Sequence, residues 1–515
     1  MTEKNEKKKT DPQALVLTMG WLILLGWRIY VLIRYSYCYT DDDQTLMWYG
    51  TVHFAHGHFP EPCFFGQDYG SMWESLLAVP LYLMGWPLYV ALPTVSMLWG
   101  FFPFVLLSVS AYRGRRPHVA FGILLLAAGC GWAWDVLTSV PRSFIPGLPF
   151  AVLAVKLLWD EKAGFWKKLL AAFLGMIGFV MTETALIILA LGIFRMILKE
   201  KKEWFTKGSW LPVLLGTAAG GCVYGARCLF YVLQPEYALY HVAGGGFSAE
   251  VFLRNLSVLP ARFSEYCFAG KAGVVLIPLF LILLLVFCFA KGRKETAWLL
   301  LASVAASILM LGLSRSYGYD DDSLLYGQLR MLLFWAYLAV LIPDSMRSEG
   351  AGKEMSHLFC GAALLLLCLI LACKGFLFER ALADPDSMVW KASFIAMMRT
   401  DELQKQTGML KEAVRQSGAD VAICTSYARV LAYGAAALCY EEPVTFYVPD
   451  KDRRFWVWQE MAEKRAHRIL FYSVPVGGED CFSLLELDEE HPPVRYFEEE
   501  YGLGRDSELE WGNRW

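Results

Sequence analysis

A dense acidic group follows the first apolar segment of the chain. Asp41, Asp42 and Asp43 are consecutive, and Glu74 lies further along the same polar stretch. Adjacent carboxylates repel one another, which raises the proton affinity of at least one of them. Such a group suits general-base chemistry or the binding of a divalent cation such as Mg²⁺ or Mn²⁺. The structural alternative is that the aspartates cap a helix that begins near Gln44.

Three histidines and two arginines are further candidates. The spacing His53-x-x-His56-x-His58 fits either a metal site or an amphipathic helix end that contacts an acceptor. Arg142, in a loop between apolar runs, and Arg330, just after a second acidic cluster at 320–322, carry planar guanidinium forks that suit a phosphate. For Arg330 the alternative is an arginine that snorkels at the end of a span.

The elements that position these residues are membrane helices. The chain of 515 residues is 56% hydrophobic and only 19% charged, too apolar for one soluble core. The apolar runs approach the length of a bilayer and predict an all-α polytopic protein with about eleven transmembrane helices. The predicted spans are 14–34, 90–111, 118–134, 145–159, 169–182, 184–198, 209–231, 272–290, 296–313, 331–343 and 355–373.

Charge sets the predicted orientation. Basic connectors alternate along the chain, so the positive-inside rule places the N-terminus in the cytoplasm and the acidic loops on the outer face of a cell membrane. The run 71–84 is short for a span and predicts an interfacial helix with Trp73, Tyr82 and Trp86 at headgroup level. The loop 232–271 is expected to be flexible enough to act as a lid, and it contains a glycosylation sequon at Asn255.

The last quarter of the chain is different in composition. From Asp384 onward there are 24 acidic and 15 basic side chains. Strands near 421–424, 443–448 and 468–473 alternate with helices near 403–416, 427–438 and 454–465, which predicts a small α/β domain with a parallel sheet. We therefore predict a membrane domain at 1–383 and a soluble, extracytoplasmic domain at 384–515. The net charge of −3 makes nucleic acid an unlikely class of partner.

Residues 41–87 resemble the first outer loop of GT-C class glycosyltransferases, including protein mannosyltransferases, aminoarabinose transferases and the bacterial family 39-like group. Asp42 and Asp43 resemble the acidic pair of these enzymes, and Gly57 resembles the glycine that ends the following helix. The turn Gly66-Gln67-Asp68-Tyr69-Gly70 with Glu74 is similar to the Gly-Gln-x-Tyr…Glu turn of one bacterial branch. Many members carry an aspartate near the start of the fourth span, where this chain has Gly147 and Pro149.

The resemblance implies inverting transfer of a sugar from a polyprenyl-phosphate donor to an extracytoplasmic glycan, lipid or protein acceptor. It implies a catalytic base at Asp42, with Asp43 second and Asp41 third, and donor or acceptor contacts from Gln67, Tyr69 and Glu74. Arg330 matches a loop arginine that faces the lipid phosphate, whereas Arg142 is a candidate by location and charge alone. There are two rival interpretations. One is a polytopic transporter or flippase for a lipid-linked sugar, and the other is a structural or scaffolding role.

Overall fold

The computed structural model describes most of the membrane region and part of the C-terminal region. The described residues are 11–59, 61–64, 70–160, 163–199, 207–234, 247–312, 333–345, 357–385, 387–391, 397–424, 445–447, 466–473 and 481–491.

Helices dominate the first 383 residues, as the apolar runs predict. The helices are α1 (Pro12–Val31), α2 (Asp42–Ala55), α3 (Trp73–Leu83), α4 (Leu88–Arg113), α5 (Pro117–Gly129), α6 (Trp132–Leu137), α7 (Gly147–Leu158), α8 (Phe165–Met181), α9 (Ala185–Lys199), α10 (Lys207–Leu233), α11 (Ala249–Tyr266), α12 (Gly273–Ala290), α13 (Lys294–Met310), α14 (Phe334–Ser345) and α15 (His357–Ala383).

Each of the predicted spans overlaps at least one of these helices. Five helical stretches within the described residues are long and apolar enough to cross a membrane. They are Pro12–Ser36, Leu88–Arg113, Trp210–Leu233, Gly270–Ala290 and Leu358–Ala383. The chain is therefore an all-α membrane protein in its larger part. Leu279, Phe280, Leu283 and Phe287 of α12 are exposed, as expected for a helix surface that faces lipid.

Two boundaries in this region were predicted wrongly. The predicted span 118–134 is broken, because α5 ends at Gly129 and α6 begins at Trp132. Phe268 N–H donates to the carbonyl of Gly129, the last residue of α5, at 3.1 Å. The last predicted span ended at residue 373, but α15 continues to Ala383. Lys374 therefore lies inside a helix.

The predicted loop 232–271 is wrong in part, because residues 249–266 form α11. The sequon residue Asn255 lies in this helix, is only 2% exposed, and donates its amide to the Leu311 carbonyl at 2.7 Å. A buried, hydrogen-bonded amide is a poor acceptor for a glycan. Residues 235–246 of the predicted lid lie outside the described residues.

A helix, α3, is present over the run that was predicted to be interfacial, but the packed Trp73 ring does not fit the role of a headgroup anchor. The ring packs against Trp99 and Phe150, with ring centroids 5.6 and 5.4 Å apart. Trp86, just beyond the helix, is 40% exposed and fits the predicted role.

The C-terminal region contains α16 (Met388–Lys391), β2 (Met398–Arg399), α17 (Thr400–Ser417), β3 (Val421–Cys424), β4 (Thr445–Tyr447), β5 (Ala466–Ser473) and β6 (Cys481–His491). The sheet order is β4-β3-β5-β6. The pairs β3–β4 and β3–β5 are parallel, as predicted, whereas β6 was not predicted and pairs antiparallel with β5. The sheet is therefore mixed. The predicted helices at 427–438 and 454–465 fall outside the described residues.

A short ribbon joins this region to the acidic segment. Strand β1 (Tyr39–Thr40) pairs antiparallel with β2, and Thr400 N–H donates to the Cys38 carbonyl at 2.8 Å. Buried apolar side chains of α2 and α17, among them Met47 and Leu403, belong to one apolar cluster. The backbone just before the aspartates is thus held by the C-terminal part of the chain.

Candidate functional site

The acidic triplet lies where β1 turns into α2. Asp41 is the N-cap: its backbone is extended, and its Oδ1 accepts a hydrogen bond from Gln44 N–H at 2.9 Å. The side chain satisfies one of the free amides at the helix start and places its negative charge at the positive end of the helix dipole. The capping interpretation is therefore correct for Asp41. At the other end, Gly57 follows the helix with φ +79°, as its resemblance to the helix-ending glycine implies.

Arg142 joins two of the three aspartates. Its Nη1 lies 3.4 Å from Asp41 Oδ2, and its Nη2 donates to Asp43 Oδ2. The Asp41 and Arg142 side chains are 0% and 8% exposed, whereas Asp43 is 24% exposed. One guanidinium thus faces two carboxylates, one fully buried and one partly exposed. Of these two carboxylates, Asp43 is the more exposed.

Burial and charge oppose each other at Asp41. Removal from water raises the pKa of Asp41, the Arg142 guanidinium lowers it, and the nearby Asp43 carboxylate raises it again. Burial is the largest of the three, so the pKa of Asp41 is raised overall. The Arg142 guanidinium therefore offsets part of the rise in the pKa of Asp41 that burial causes.

Glu74 is buried next to this group. It lies in the first turn of α3, is 0% exposed, and accepts hydrogen bonds from Ser143 N–H at 2.6 Å and from Ser96 Oγ at 2.9 Å. Burial raises the pKa of Glu74 to about 7, although both hydrogen bonds act to lower it. Glu74 is therefore a carboxyl group that titrates near neutral pH.

The pKa of Glu74 predicts a pH-dependent stability. An acid that binds its proton more tightly in the folded state favours that state most below its unfolded pKa of about 4.5, and the advantage is lost as the pH rises through 7. We expect this group to remove roughly 3 kcal/mol of unfolding free energy across that window. Thermal unfolding of the detergent-solubilised protein from pH 5 to 8 measures the effect. Glu74→Gln should have a flatter profile than wild type, and two parallel profiles would contradict the assignment.

One turn of the chain holds both parts of the site. Residues 138–146 connect α6 and α7 and carry Arg142 and Ser143 side by side. Ser143 has φ +61°, a left-handed conformation that costs about 1–2 kcal/mol for a residue with a side chain. Its backbone N–H binds Glu74, and its Oγ accepts from Ser71 N–H at 2.6 Å. These bonds offset the strain and tie Glu74 to the arginine that binds the aspartates.

The structure therefore brings together four of the predicted site residues: Asp41, Asp43, Glu74 and Arg142. Asp42 is the first residue of α2, but its side chain lies outside the described residues. Gln67, Tyr69 and Arg330, with the second acidic cluster at 320–322, also fall outside them. Their roles stay predictions.

The histidines do not form a metal site in the described part of the chain. His53 is 3% exposed, and burial, together with His58 and His56, lowers its pKa to about 3, so it is neutral. The Nδ1 atom of His56 is 2.8 Å from the Val52 carbonyl. Among the described residues, no group of three or more His, Cys, Asp or Glu side chains could hold a metal ion.

Glu61, another acidic residue of the same polar stretch, accepts a hydrogen bond from the Tyr231 hydroxyl of α10 at 2.6 Å.

The sequence prediction missed a buried cluster of charged side chains next to the turn 138–146. Arg28 of α1, Asp135 of α6 and Lys374 of α15 are each at most 1% exposed. Asp135 Oδ1 is 2.5 Å from Arg28 Nη1, and Asp135 Oδ2 is 2.5 Å from Lys374 Nζ. The sequence did contain a signal for this cluster, namely a basic residue inside or directly after an otherwise apolar run. A charge at such a position is costly in free energy unless it has a partner.

Comparisons of the chain with protein-family models, with curated proteins and with solved structures gave no match, so its function has to be inferred from its own residues.

Proposed function

We propose that this protein is a membrane glycosyltransferase of the GT-C type, which transfers a sugar from a polyprenyl-phosphate donor to an extracytoplasmic acceptor with inversion. The observation that carries the proposal is the convergence of Asp41, Asp43 and Arg142 at the start of α2, directly after the first candidate span. The proposal includes about eleven spans, a cytoplasmic N-terminus and an extracytoplasmic C-terminal domain, which the charge distribution supports.

In the proposed reaction, an acceptor hydroxyl attacks the anomeric carbon of the sugar. The bond from that carbon to the phosphate oxygen breaks, and the lipid phosphate leaves with its electron pair. A carboxylate takes the hydroxyl proton. Asp43, with its partial exposure, suits this role, and Asp42 shares it by resemblance. Asp41 is fully buried and occupied as a cap, which favours a supporting role over contact with an acceptor.

We assign Arg142 a different role from the phosphate contact that its charge alone suggests. Its guanidinium already faces two carboxylates, so its main contribution is to hold them in place and to balance their charge. The donor phosphate is then left to Arg330 in this proposal. A divalent cation such as Mg²⁺ or Mn²⁺, which the acidic group could also bind, is not part of the proposal, because Arg142 already balances much of the charge of Asp41 and Asp43.

Amide substitution tests the proposed base. Asp42→Asn and Asp43→Asn keep the shape of the side chain and remove its basicity, so we expect at least one of them to lower the transfer rate by roughly 10²–10⁴-fold. The assay uses purified protein in lipid discs with radiolabelled polyprenyl-phosphate sugars and a panel of acceptors. Glu183→Gln, a matched change at an exposed turn, is the control. Transfer at the wild-type rate in both aspartate variants would refute the assignment.

One observation favours the transporter as a second candidate. Transporters place ionised side chains next to interrupted helices within the membrane, and the Arg28–Asp135–Lys374 cluster lies beside the break between α5 and α6. Uptake of a lipid-linked sugar by proteoliposomes distinguishes the two. Uptake that survives Asp42→Asn and Asp43→Asn but is lost in charge-cluster variants that still fold would favour the transporter.

A further inference from the structure

The guanidinium of Arg28 joins two residues of the same short segment. Its Nη1 lies 2.5 Å from Asp135 Oδ1, and its Nη2 donates to Thr138 Oγ1 at 2.5 Å. All three side chains are at most 1% exposed. A planar fork with two fixed bonds sets the orientation of what it binds, which a single ion pair does not. Arg28 therefore fixes both the middle of α6 and the residue directly after it.

The carboxylate of Asp135 is held independently of Thr138. Its Oδ2 accepts a bond from Trp27 Nε1 at 2.7 Å and lies 2.5 Å from Lys374 Nζ. Lys374 also donates to the Ala128 carbonyl at 3.2 Å, near the C-terminal end of α5, where the helix dipole favours a cation. Asp135 thus has enough partners without the second arm of Arg28. The bond to Thr138 is therefore not needed to hold the Asp135 carboxylate in place.

Thr138 is the first residue of the turn that carries Arg142 and Ser143. The next residue, Ser139, shares a hydrogen bond with Ser36 at the end of the first candidate span, with the two Oγ atoms 2.7 Å apart. Three residues lie between Thr138 and Arg142, and one of them, Val140, is 1% exposed. Ile145, later in the same turn, is also 1% exposed. A short, buried segment transmits a displacement of its start to its end, because close-packed side chains leave little room for it to be absorbed.

We propose that Arg28 is a positioning residue for the acidic site: through its bond to Thr138 it fixes the turn 138–146 and thereby sets where Arg142 meets Asp41 and Asp43. The effect on catalysis rests on the proposed function. The effect on the position of the turn does not, so the two can be tested separately.

The position of the turn is measured with an engineered disulfide. Ser71 Oγ and Ser143 Oγ are 3.5 Å apart at the acidic site, so Ser71→Cys with Ser143→Cys provides a pair whose rate of oxidation reports the placement of residue 143. Mass spectrometry of the linked peptides separates this pair from the native cysteines. The pair is introduced into wild type, Thr138→Val, Thr138→Ser and Arg28→Lys.

Thr138→Val keeps the shape of the side chain and removes the acceptor, whereas Arg28→Lys keeps the charge and removes the fork. We expect both to slow disulfide formation by about tenfold, as loss of a hydrogen bond to a charged group predicts. Thr138→Ser restores the hydroxyl and should restore the rate. Thr296→Val, a buried threonine of α13, controls for the loss of a buried hydroxyl. If Thr138→Val does not fold, Arg28→Lys gives the same comparison.

Disulfide formation at the wild-type rate in a folded Thr138→Val or Arg28→Lys protein would overturn the positioning role. A second readout, in the protein without engineered cysteines, is sugar transfer: we expect Thr138→Val to lower kcat with little change in KM for the donor, and Thr138→Ser to recover it. A slowed disulfide with unchanged kcat would overturn the link to catalysis. If wild type transfers no sugar, the proposed function fails, and the disulfide rates still decide whether Arg28 positions the turn.

Discussion

Replacing Asp135 with asparagine is expected to lower the unfolding free energy by about 3–5 kcal/mol, because it leaves two buried cations without their shared anion. Arg28 Nη1 and Lys374 Nζ each lie 2.5 Å from this carboxylate, and all three side chains are at most 1% exposed. Water cannot screen the cations once the carboxylate is gone. The measurement is thermal unfolding of purified protein in detergent, followed by the loss of monodisperse material.

The matched control is Asp160→Asn. Asp160 pairs with Lys167 at 2.7 Å, but the side chains are 38% and 52% exposed, so removal of this charge should cost only about 0–1 kcal/mol. In addition, Asp135→Asn with Lys374→Met removes one charge of each sign and should recover part of the loss. An Asp135→Asn protein as stable as the Asp160→Asn protein would show that the buried cluster contributes little to the fold.

The helices could be predicted from hydropathy, because an apolar run of bilayer length has few other stable structures. Their ends could not always be predicted. The last predicted span ended at residue 373, directly before Lys374, where a local apolar pattern stops. In the structure, Asp135 and the Ala128 carbonyl are its partners, so the helix continues past it. Those partners lie far away in the sequence, where a local pattern cannot reveal them.

Part of the candidate site could be predicted, and part could not. The acidic triplet, Glu74 and Arg142 were found because charged groups are scarce in this chain and stand out. Sequence could not tell which aspartate caps α2 and which faces solvent, because a shift of one residue in the helix start exchanges these roles. Nor could it predict the left-handed Ser143, since that conformation depends on bonds to Ser71 and Glu74 across the fold.

Loss of the Arg142 guanidinium is the second large expected effect. In Arg142→Met, the fully buried Asp41 keeps its place as the N-cap of α2 but loses the cation that lowers its pKa. A buried carboxylate without its partner costs about 3–5 kcal/mol when ionised, and protonation avoids much of that cost. The pKa of Asp41 in the folded state should therefore rise further above its unfolded value. Asp43 and Glu74, the other acidic groups next to the turn 138–146, are unchanged in this variant.

The sign of the pH dependence follows from this rise. A folded state that holds a proton more tightly loses stability as the pH increases, so Arg142→Met should be only mildly destabilised near pH 5 and strongly destabilised near pH 8. Arg142→Lys keeps a cation without the fork and should lie between it and wild type. Adding Asp41→Asn to Arg142→Met removes the unpaired charge and should recover stability at pH 8. If the double variant is no more stable there than Arg142→Met, the guanidinium does not serve to hold a buried carboxylate.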